Sequence, residues 1–132
     1  MRVQLHGRSG AEGAEFGRKS GRRRTLVVAV TTETGDSVGI ELTIIEHYWR
    51  ALVAFFESMA ASVDGWPNSL FWRSEFSEVE IRATNQGNGV ATPAISVARP
   101  PNYETEAEVS VELRSIDLTG LAGEMRELVG RA

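Results

Sequence analysis

The chain contains no cysteine and only two histidines among its 132 residues. Without cysteine there is no disulfide framework, no thiolate nucleophile and no zinc finger, and this favours a reducing, cytoplasmic setting. No apolar run approaches the roughly 18 residues that a membrane-spanning helix needs. The first residues also lack the apolar region of a secretory signal. The composition therefore predicts a globular protein without a membrane anchor.

Charge is unevenly distributed along the chain. The net charge of −4 combines a balance of +5 through Arg24 with −9 over the remaining residues. An acidic body repels phosphates and suits a basic protein partner. An arginine-rich tract has the opposite preference, since it can bind nucleic acid or another anionic surface. The tract comprises Arg18, Lys19, Arg22, Arg23 and Arg24.

Composition and periodicity divide the chain into a basic N-terminal arm, residues 1–22, and a single domain, residues 23–132. Residues 2–7 alternate polar and apolar side chains like a short edge strand, while residues 8–21 are rich in glycine and predict little regular structure. The segment 23–33 is rich in β-branched residues, which is typical of a central strand covered on both faces, and residues 37–45 alternate like a half-buried strand. The arm is therefore predicted to be flexible or an edge strand.

A change of period marks a helix over residues 46–63. Its apolar side chains recur at three- and four-residue steps, which predicts one buried stripe. The stripe comprises Tyr48, Leu52, Phe55, Phe56, Met59 and Val63. Gly65 and Pro67 predict that the helix does not continue beyond this point.

The C-terminal half predicts three strands and a second helix. Residues 77–84 and 106–116 alternate apolar and charged side chains, and residues 85–89 form a hairpin turn. Pro93 lacks a ladder donor, so the strand 90–99 is predicted at an edge or with a bulge there. Asp117 is a candidate N-cap for a helix that carries Leu118, Leu121, Met125 and Leu128.

The resulting order is β-β-β-α-β-β-β-α, which indicates an α+β fold. Inward apolar positions alternate with outward charged positions in most strands. This pattern favours a mostly antiparallel sheet of about five or six strands, with one solvated face and both helices packed on the other face.

The segment 64–76, DGWPNSLFWRSEF, holds two of the three tryptophans and two of the five phenylalanines. Trp66 and Trp72 can close the open end of a helix-on-sheet core while each indole N–H reaches a partner. The alternative is an exposed binding anchor, since tryptophan and arginine dominate interface hot spots. The anchor would comprise Trp66, Phe71, Trp72 and Arg73.

The order of motifs from the helix to the hairpin resembles a family of short, uncharacterised actinobacterial proteins of unknown function. The matching motifs are Phe55-Phe56, Gly65-Trp66, Trp72, Ser74-Glu75 and the strand 79–83. The resemblance extends over residues 38–130 and departs from the family at the hairpin and at the basic arm. It implies a fold, but no activity or site residues.

No motif for catalysis, metal binding or cofactor binding is present. His6 and His47 belong to no metal-binding spacing, and no phosphate-binding loop or serine nucleophile motif occurs. Glutamates at alternating strand positions indicate a solvated acidic surface in preference to a catalytic pair. The sequence therefore predicts no catalytic, metal or cofactor residue.

The main functional hypothesis is a non-enzymatic module that binds a protein partner, in one version a basic toxin that it neutralises as an immunity or antitoxin-like protein. Its predicted surface is an acidic sheet face with the aromatic segment nearby. The acidic residues are Glu78, Glu80, Glu108 and Glu112. The alternatives are nucleic-acid or anionic-surface binding by the basic tract, and a small-molecule or enzymatic pocket. The first strand or the strand with Pro93 is also a candidate for homodimer pairing.

Overall fold

Four strands at the N-terminus form one antiparallel sheet. The computed structural model describes residues 2–7, 11–19, 25–100 and 102–130. Neighbouring strands pair in chain order, so the third strand is interior, as predicted. The strands are β1 (Arg2–His6), β2 (Gly13–Lys19), β3 (Thr25–Thr31) and β4 (Ser37–Thr43). The prediction of little regular structure over residues 8–21 is therefore wrong for β2.

One of the two glycines of β2, Gly13, has a packing role that the composition of the segment does not reveal. A Cβ atom on Gly13 would lie 2.5 Å from the carbonyl oxygen of Leu5, so the close approach of β1 requires a residue without a side chain. Ala14 and Phe16 alternate with these glycines and are buried. The segment thus combines the period of a strand with a composition typical of a loop.

A second antiparallel sheet follows the first helix. Its strands β5 (Trp66–Arg73), β6 (Val79–Asn85), β7 (Val90–Arg99) and β8 (Glu104–Ser110) also pair in chain order, and the short strand β9 (Leu113–Arg114) pairs with the start of β7. The predicted α+β class with antiparallel strands is confirmed. The single sheet and the predicted element order are wrong, because alternation shows which face of a strand is buried but not which strand lies beside it.

Two helices complete the fold. They are α1 (Glu46–Ala61) and α2 (Leu118–Gly130), and a 3-10 helix at Ser115–Asp117 precedes α2. Trp49 and Val53 are buried on α1 in addition to most of the predicted stripe, whereas Val63 lies beyond the helix end and is exposed. All four apolar residues predicted for the second helix are buried. Neither helix is long and apolar enough to span a membrane within the described part of the chain.

One hydrophobic core joins both sheets and both helices. The sheets contact each other through β2, β3 and β4 on one side and β7 and β8 on the other, while α1 contacts β5 and α2 contacts β1. Phe56 of α1 meets Phe16 of β2 edge-on, with ring centroids 6.2 Å apart. Burying each large side chain of this kind contributes about 2 kcal/mol.

Pro93 lies in an interior strand, which corrects the predicted edge position. β7 pairs with β6 on one side and with β8 and then β9 on the other, and its register shift is between Val97 and Ala98. The backbone N–H of Val111 donates to the carbonyl oxygen of Pro93 at 3.0 Å. The nitrogen of Pro93, which carries no hydrogen to donate, therefore faces the gap between β8 and β9. The pairing along this side of β7 is already interrupted at that gap.

The end of α1 and the β6–β7 hairpin cross at two glycines. Gly65 and Gly87 have φ angles of 104° and 86°. A Cβ atom on Gly65 would lie 2.8 Å from the backbone nitrogen of Gly87, and one on Gly87 would lie 2.9 Å from the carbonyl oxygen of Asp64. Asn85 fixes the hairpin because its Oδ1 accepts the N–H of Gly87 at 2.9 Å. The turn predicted for residues 85–89 is confirmed.

Candidate functional site

The two tryptophans of the aromatic segment close one end of the core. Trp72 on β5 is 4% exposed, and its Nε1 donates to the carbonyl oxygen of Tyr48 on α1 at 3.3 Å. Trp66 is half-buried, and its Nε1 donates to the carbonyl oxygen of Ala83 on β6 at 3.1 Å. Both indoles thus find partners inside the protein, as expected for amphipathic rings at the rim of a core.

Phe71 and Arg73 point away from the core because side chains alternate along β5. Phe71 remains 47% exposed, and the guanidinium carbon of Arg82 lies 5.3 Å from its ring centroid. Arg73 donates from Nη1 to Ser77 Oγ at 3.1 Å. The predicted anchor is therefore divided, with two residues on the outward face of the second sheet and two indoles at the core.

The four predicted glutamates do not form one continuous face. Glu80 and Glu108 lie on either side of Ser96 in the strand register, so these two share the outward face of the second sheet. Glu78 lies just before β6 and holds the β5–β6 turn. Its Oε1 accepts the hydroxyl of Ser74 at 2.8 Å and the backbone N–H of Phe76 at 3.1 Å. The alternating pattern in the sequence includes Glu78, which lies one residue before the observed start of β6 at Val79.

Glu108 and Glu112 line a cleft of about 580 Å³ that is bordered by residues of both sheets. We name it the acidic cleft. It is lined by the β3–β4 turn, by the end of β8 and by the residue that precedes β2. Its carboxylates belong to Glu12, Glu33, Glu108 and Glu112. Sequence reasoning missed Glu12 and Glu33, because nothing local indicates that they face the end of a strand in the other sheet.

The β3–β4 turn holds the first-sheet side of the acidic cleft in place. The N–H of Thr32 donates to the carbonyl oxygen of Asp36 at 2.8 Å, and the hydroxyl of Thr34 donates to Asp36 Oδ2 at 2.9 Å. Gly35 takes a φ of 88°, which permits the reversal. Glu33 is carried by this bonded turn, which places the residue at the border of the cleft together with residues of β8.

A second concave surface lies between β1 and the N-terminal half of α2. We name it the apolar groove; it has a volume of about 410 Å³. Leu5, Leu113, Leu118 and Leu121 provide its apolar side chains. The ionisable residues at its rim are Asp117 and Glu124, and Gly120 of α2 faces open space. No sequence pattern pointed to this groove, because the four leucines are also those that a core requires.

The basic tract is partly engaged within the fold. Arg18 donates from Nη1 to the carbonyl oxygens of Leu128 and Val129 at 3.3 and 3.5 Å, and its guanidinium carbon lies 5.9 Å from the ring centroid of Trp49. A cation at the C-terminus of α2 is stabilised by the helix dipole. Lys19 forms an ion pair with Glu41 at 3.3 Å. Arg22, Arg23 and Arg24 lie outside the described residues.

Both histidines are at the surface. His6 and His47 are exposed, and the ring of His47 contacts Tyr48 edge-on at 5.3 Å. Over the part of the chain that the structure describes, no group of three or more histidine, aspartate or glutamate residues has the arrangement of a metal site. The acidic cleft and the apolar groove differ in chemistry, because glutamates line the first and leucines line the second.

Comparison with known families places this arrangement in a family. The chain belongs to the Family of unknown function (DUF6228), which matches residues 14–132. The match begins at the second residue of β2, so it covers all of α2 and every glutamate of the acidic cleft except Glu12. No curated protein matches the chain.

Proposed function

We propose, for this member of a family of unknown function, a non-enzymatic role as a binding module that recognises a basic protein partner in the acidic cleft. One observation carries the proposal. Four glutamates, carried by both sheets and their connections, line a single cleft whose volume is within the range of about 300 to 1,000 Å³ that binding sites occupy. Lysine or arginine side chains entering the cleft would pair with carboxylates at its surface, such as those of Glu33 and Glu108.

The composition of the cleft favours a peptide or protein side chain over a phosphate-bearing ligand. Its charged residues are all acidic, and its other polar groups include the hydroxyls of Thr32, Thr34, Thr92 and Ser110. Carboxylates repel phosphates, whereas hydroxyls and carboxylates together accept hydrogen bonds from ammonium and guanidinium groups. An immunity or antitoxin-like protein acting in the cytoplasm is one specific form of this proposal.

The nucleic-acid alternative finds less support in the two residues of the basic tract that the structure describes. Arg18 donates to helix carbonyls and Lys19 is paired with Glu41, so both cations already have partners inside the chain. A phosphate would have to compete with those contacts. We therefore keep nucleic-acid binding as an outcome of the test below.

The test is a charge reversal of the cleft with a matched control. The cleft variant carries Glu33→Lys, Glu108→Lys and Glu112→Lys, and the control carries Glu46→Lys, Glu57→Lys and Glu75→Lys, which are exposed residues elsewhere on the surface. Both variants change the net charge equally. Surface ion pairs contribute about 0.5 kcal/mol, so both should stay folded, as circular dichroism would verify.

Tagged wild type and both variants would be used to capture partners from the native lysate, with and without nuclease, and the captured proteins identified by mass spectrometry. We expect a basic protein that survives nuclease, is retained by the control and is lost from the cleft variant. Equal recovery by all three proteins would refute the role of the cleft. Loss of every partner on nuclease treatment would instead support nucleic-acid binding.

A further inference from the structure

The chain has two positions at which an aspartate or asparagine directly precedes a glycine, Asp64-Gly65 and Asn88-Gly89. Such a pair can react within itself. The backbone nitrogen of the glycine attacks the carbonyl carbon of the preceding side chain, and a succinimide ring forms. Glycine favours this reaction because it has no side chain that obstructs the close approach of its backbone. The two pairs have different surroundings in the fold.

Asp64-Gly65 is closed to the reaction. The N–H of Gly65 donates to the carbonyl oxygen of Ser62 at 2.9 Å, so the attacking nitrogen is held in a hydrogen bond. A Cβ atom on Gly65 would lie 2.8 Å from the backbone nitrogen of Gly87, so the segment is packed tightly against the hairpin. Ring closure at Asp64 would first require these two segments to separate.

Asn88-Gly89 lies at the tip of the β6–β7 hairpin and is open. Both residues are exposed, and a Cβ atom on Gly89 would meet nothing within 4 Å. Within the described residues, the N–H of Gly89 donates no hydrogen bond. The attacking nitrogen is therefore not held, and the turn can move without breaking contacts with the rest of the protein.

A hydrogen bond also prepares the side chain of Asn88 for attack. The N–H of Val90 donates to Asn88 Oδ1 at 3.3 Å, which directs the carboxamide along the backbone towards Gly89 and Val90. Negative charge develops on this same oxygen when the Gly89 nitrogen attacks Cγ. A donor aimed at such an oxygen stabilises the developing charge. The contact thus positions the carbonyl group and lowers the barrier to ring closure.

We propose that Asn88 is a modification site that deamidates in the folded protein. The Gly89 nitrogen loses its proton and forms a bond to Cγ of Asn88, the bond from Cγ to Nδ2 breaks, and ammonia leaves. Water then opens the succinimide at either carbonyl, which gives aspartate or isoaspartate. Both products add a negative charge. Isoaspartate also routes the main chain through the side-chain methylene group.

Isoaspartate at this position should loosen the turn on both sides. The added methylene lies between two hydrogen bonds, from the N–H of Gly87 to Asn85 Oδ1 at 2.9 Å and from the N–H of Ser115 to the carbonyl oxygen of Gly89 at 2.8 Å. The second bond joins the hairpin to the 3-10 helix before α2. We expect the isoaspartate form, isolated by ion exchange, to have a Tm at least about 3 °C below that of wild type. Asn88→Asp should keep the wild-type Tm, because its carboxylate can still accept the N–H of Val90.

The test incubates the intact chain at neutral pH, folded in buffer and unfolded in urea. Peptide mapping by mass spectrometry locates each conversion, and an isoaspartyl methyltransferase labels isoaspartate. We expect Asn88 in the folded chain to convert at no less than about one third of its rate in urea. At Asp64, where ring closure is blocked, isoaspartate should form at least about tenfold more slowly in the folded chain than in urea.

Two variants serve as controls for the chemistry. Asn88→Gln keeps a carboxamide but needs a larger ring, and Gly89→Ala places a methyl group beside the attacking nitrogen, so each should slow conversion at least about tenfold. Conversion of Asn88 in urea alone, equal protection of Asn88 and Asp64, or wild-type rates in both variants would each overturn the proposal. An isoaspartate form with the wild-type Tm would refute the loosening of the turn. Asn88 does not line the acidic cleft, so these outcomes are independent of the proposed function.

Discussion

Replacing Gly65 with alanine should destabilise the protein more than any other single added methyl group at its positive-φ glycines. Two effects combine at this residue. A φ of 104° is unfavourable for an L-residue with a side chain, at a cost of about 1 to 2 kcal/mol. The new Cβ atom would also lie 2.8 Å from Gly87 N and 2.9 Å from Asn85 O, both of them backbone atoms.

Because backbone atoms cannot rotate away, the hairpin or the end of α1 must move. Forced repacking of this kind costs about 1 to 3 kcal/mol. The expected total for Gly65→Ala is thus about 3 kcal/mol. For a chain of this length, that corresponds to a fall in Tm of roughly 10 °C.

Gly89→Ala is the control that isolates the steric effect. Gly89 has a similarly positive φ of 82°, but a Cβ atom there would meet nothing within 4 Å. We expect this variant to lose only the backbone contribution of about 1 to 2 kcal/mol. Urea unfolding followed by circular dichroism would measure both variants, with unchanged m-values as the sign that only stability has changed.

A double variant tests whether Gly65 and Gly87 are required for the same close approach of two backbone segments. Gly65→Ala and Gly87→Ala force apart the same two segments. The double variant should therefore lose less stability than the sum of the losses in the two single variants. Gly65→Ala and Gly89→Ala should be closer to additive. If Gly65→Ala costs no more than Gly89→Ala, the close approach of α1 and the hairpin is refuted.

Three other predictions, which use four substitutions, test separate contacts. Ser74→Ala removes the acceptor for the buried N–H of Val79, which its Oγ meets at 3.1 Å, and should cost about 1 to 3 kcal/mol in urea unfolding; an unchanged midpoint would exclude this bond. Arg18→Met keeps the aliphatic contact but removes the hydrogen bonds to Leu128 and Val129, so it should cost about 1 to 2 kcal/mol, against about 0.5 kcal/mol for Lys19→Met, whose ion pair is exposed; equal effects would refute the helix-end role. Gly123→Ala should raise stability by up to about 1 kcal/mol in thermal melts, since its Cβ would meet open space on a helix, and any destabilisation would contradict that geometry.

The helices were the part of the fold that the sequence predicted best. In α1 and α2, three- and four-residue spacing identifies the buried side independently of what lies opposite, so Leu52, Phe56 and Met125 could be assigned to the core from the chain alone. The same spacing does not identify the helix end. It continues to Val63, whereas α1 ends at Ala61.

β5 could not be predicted because its sequence has the features of a loop. Pro67 and the left-handed Asn68 interrupt the pattern, and the register shifts before Leu70. The strand is held by tertiary contacts, including the bond from Trp72 to Tyr48. Local propensity is a weak guide where contacts with the rest of the protein decide the conformation.

Only part of the acidic cleft could be predicted from the sequence. Glu108 and Glu112 belong to an alternating segment, which marks them as outward residues. Glu33 comes from a turn of the other sheet, and its position opposite β8 depends on how the sheets pack. A single sequence contains no signal for that packing, so the cleft emerges only in three dimensions.

The pairing of strands in chain order has a consequence for how the molecule assembles. Within β1–β4 and within β5–β8, every strand pairs with its neighbour in the chain. Each sheet can therefore form through short loops, independently of the other sheet. In the sequence, α1 lies between the two sheets. We expect the contacts between the halves, such as Arg99 with Gly39 and Arg18 with the end of α2, to form late, after each sheet has closed. Stopped-flow refolding of Arg18→Met should show faster unfolding with little change in the folding rate, and slowed folding would indicate that this contact already exists in the transition state.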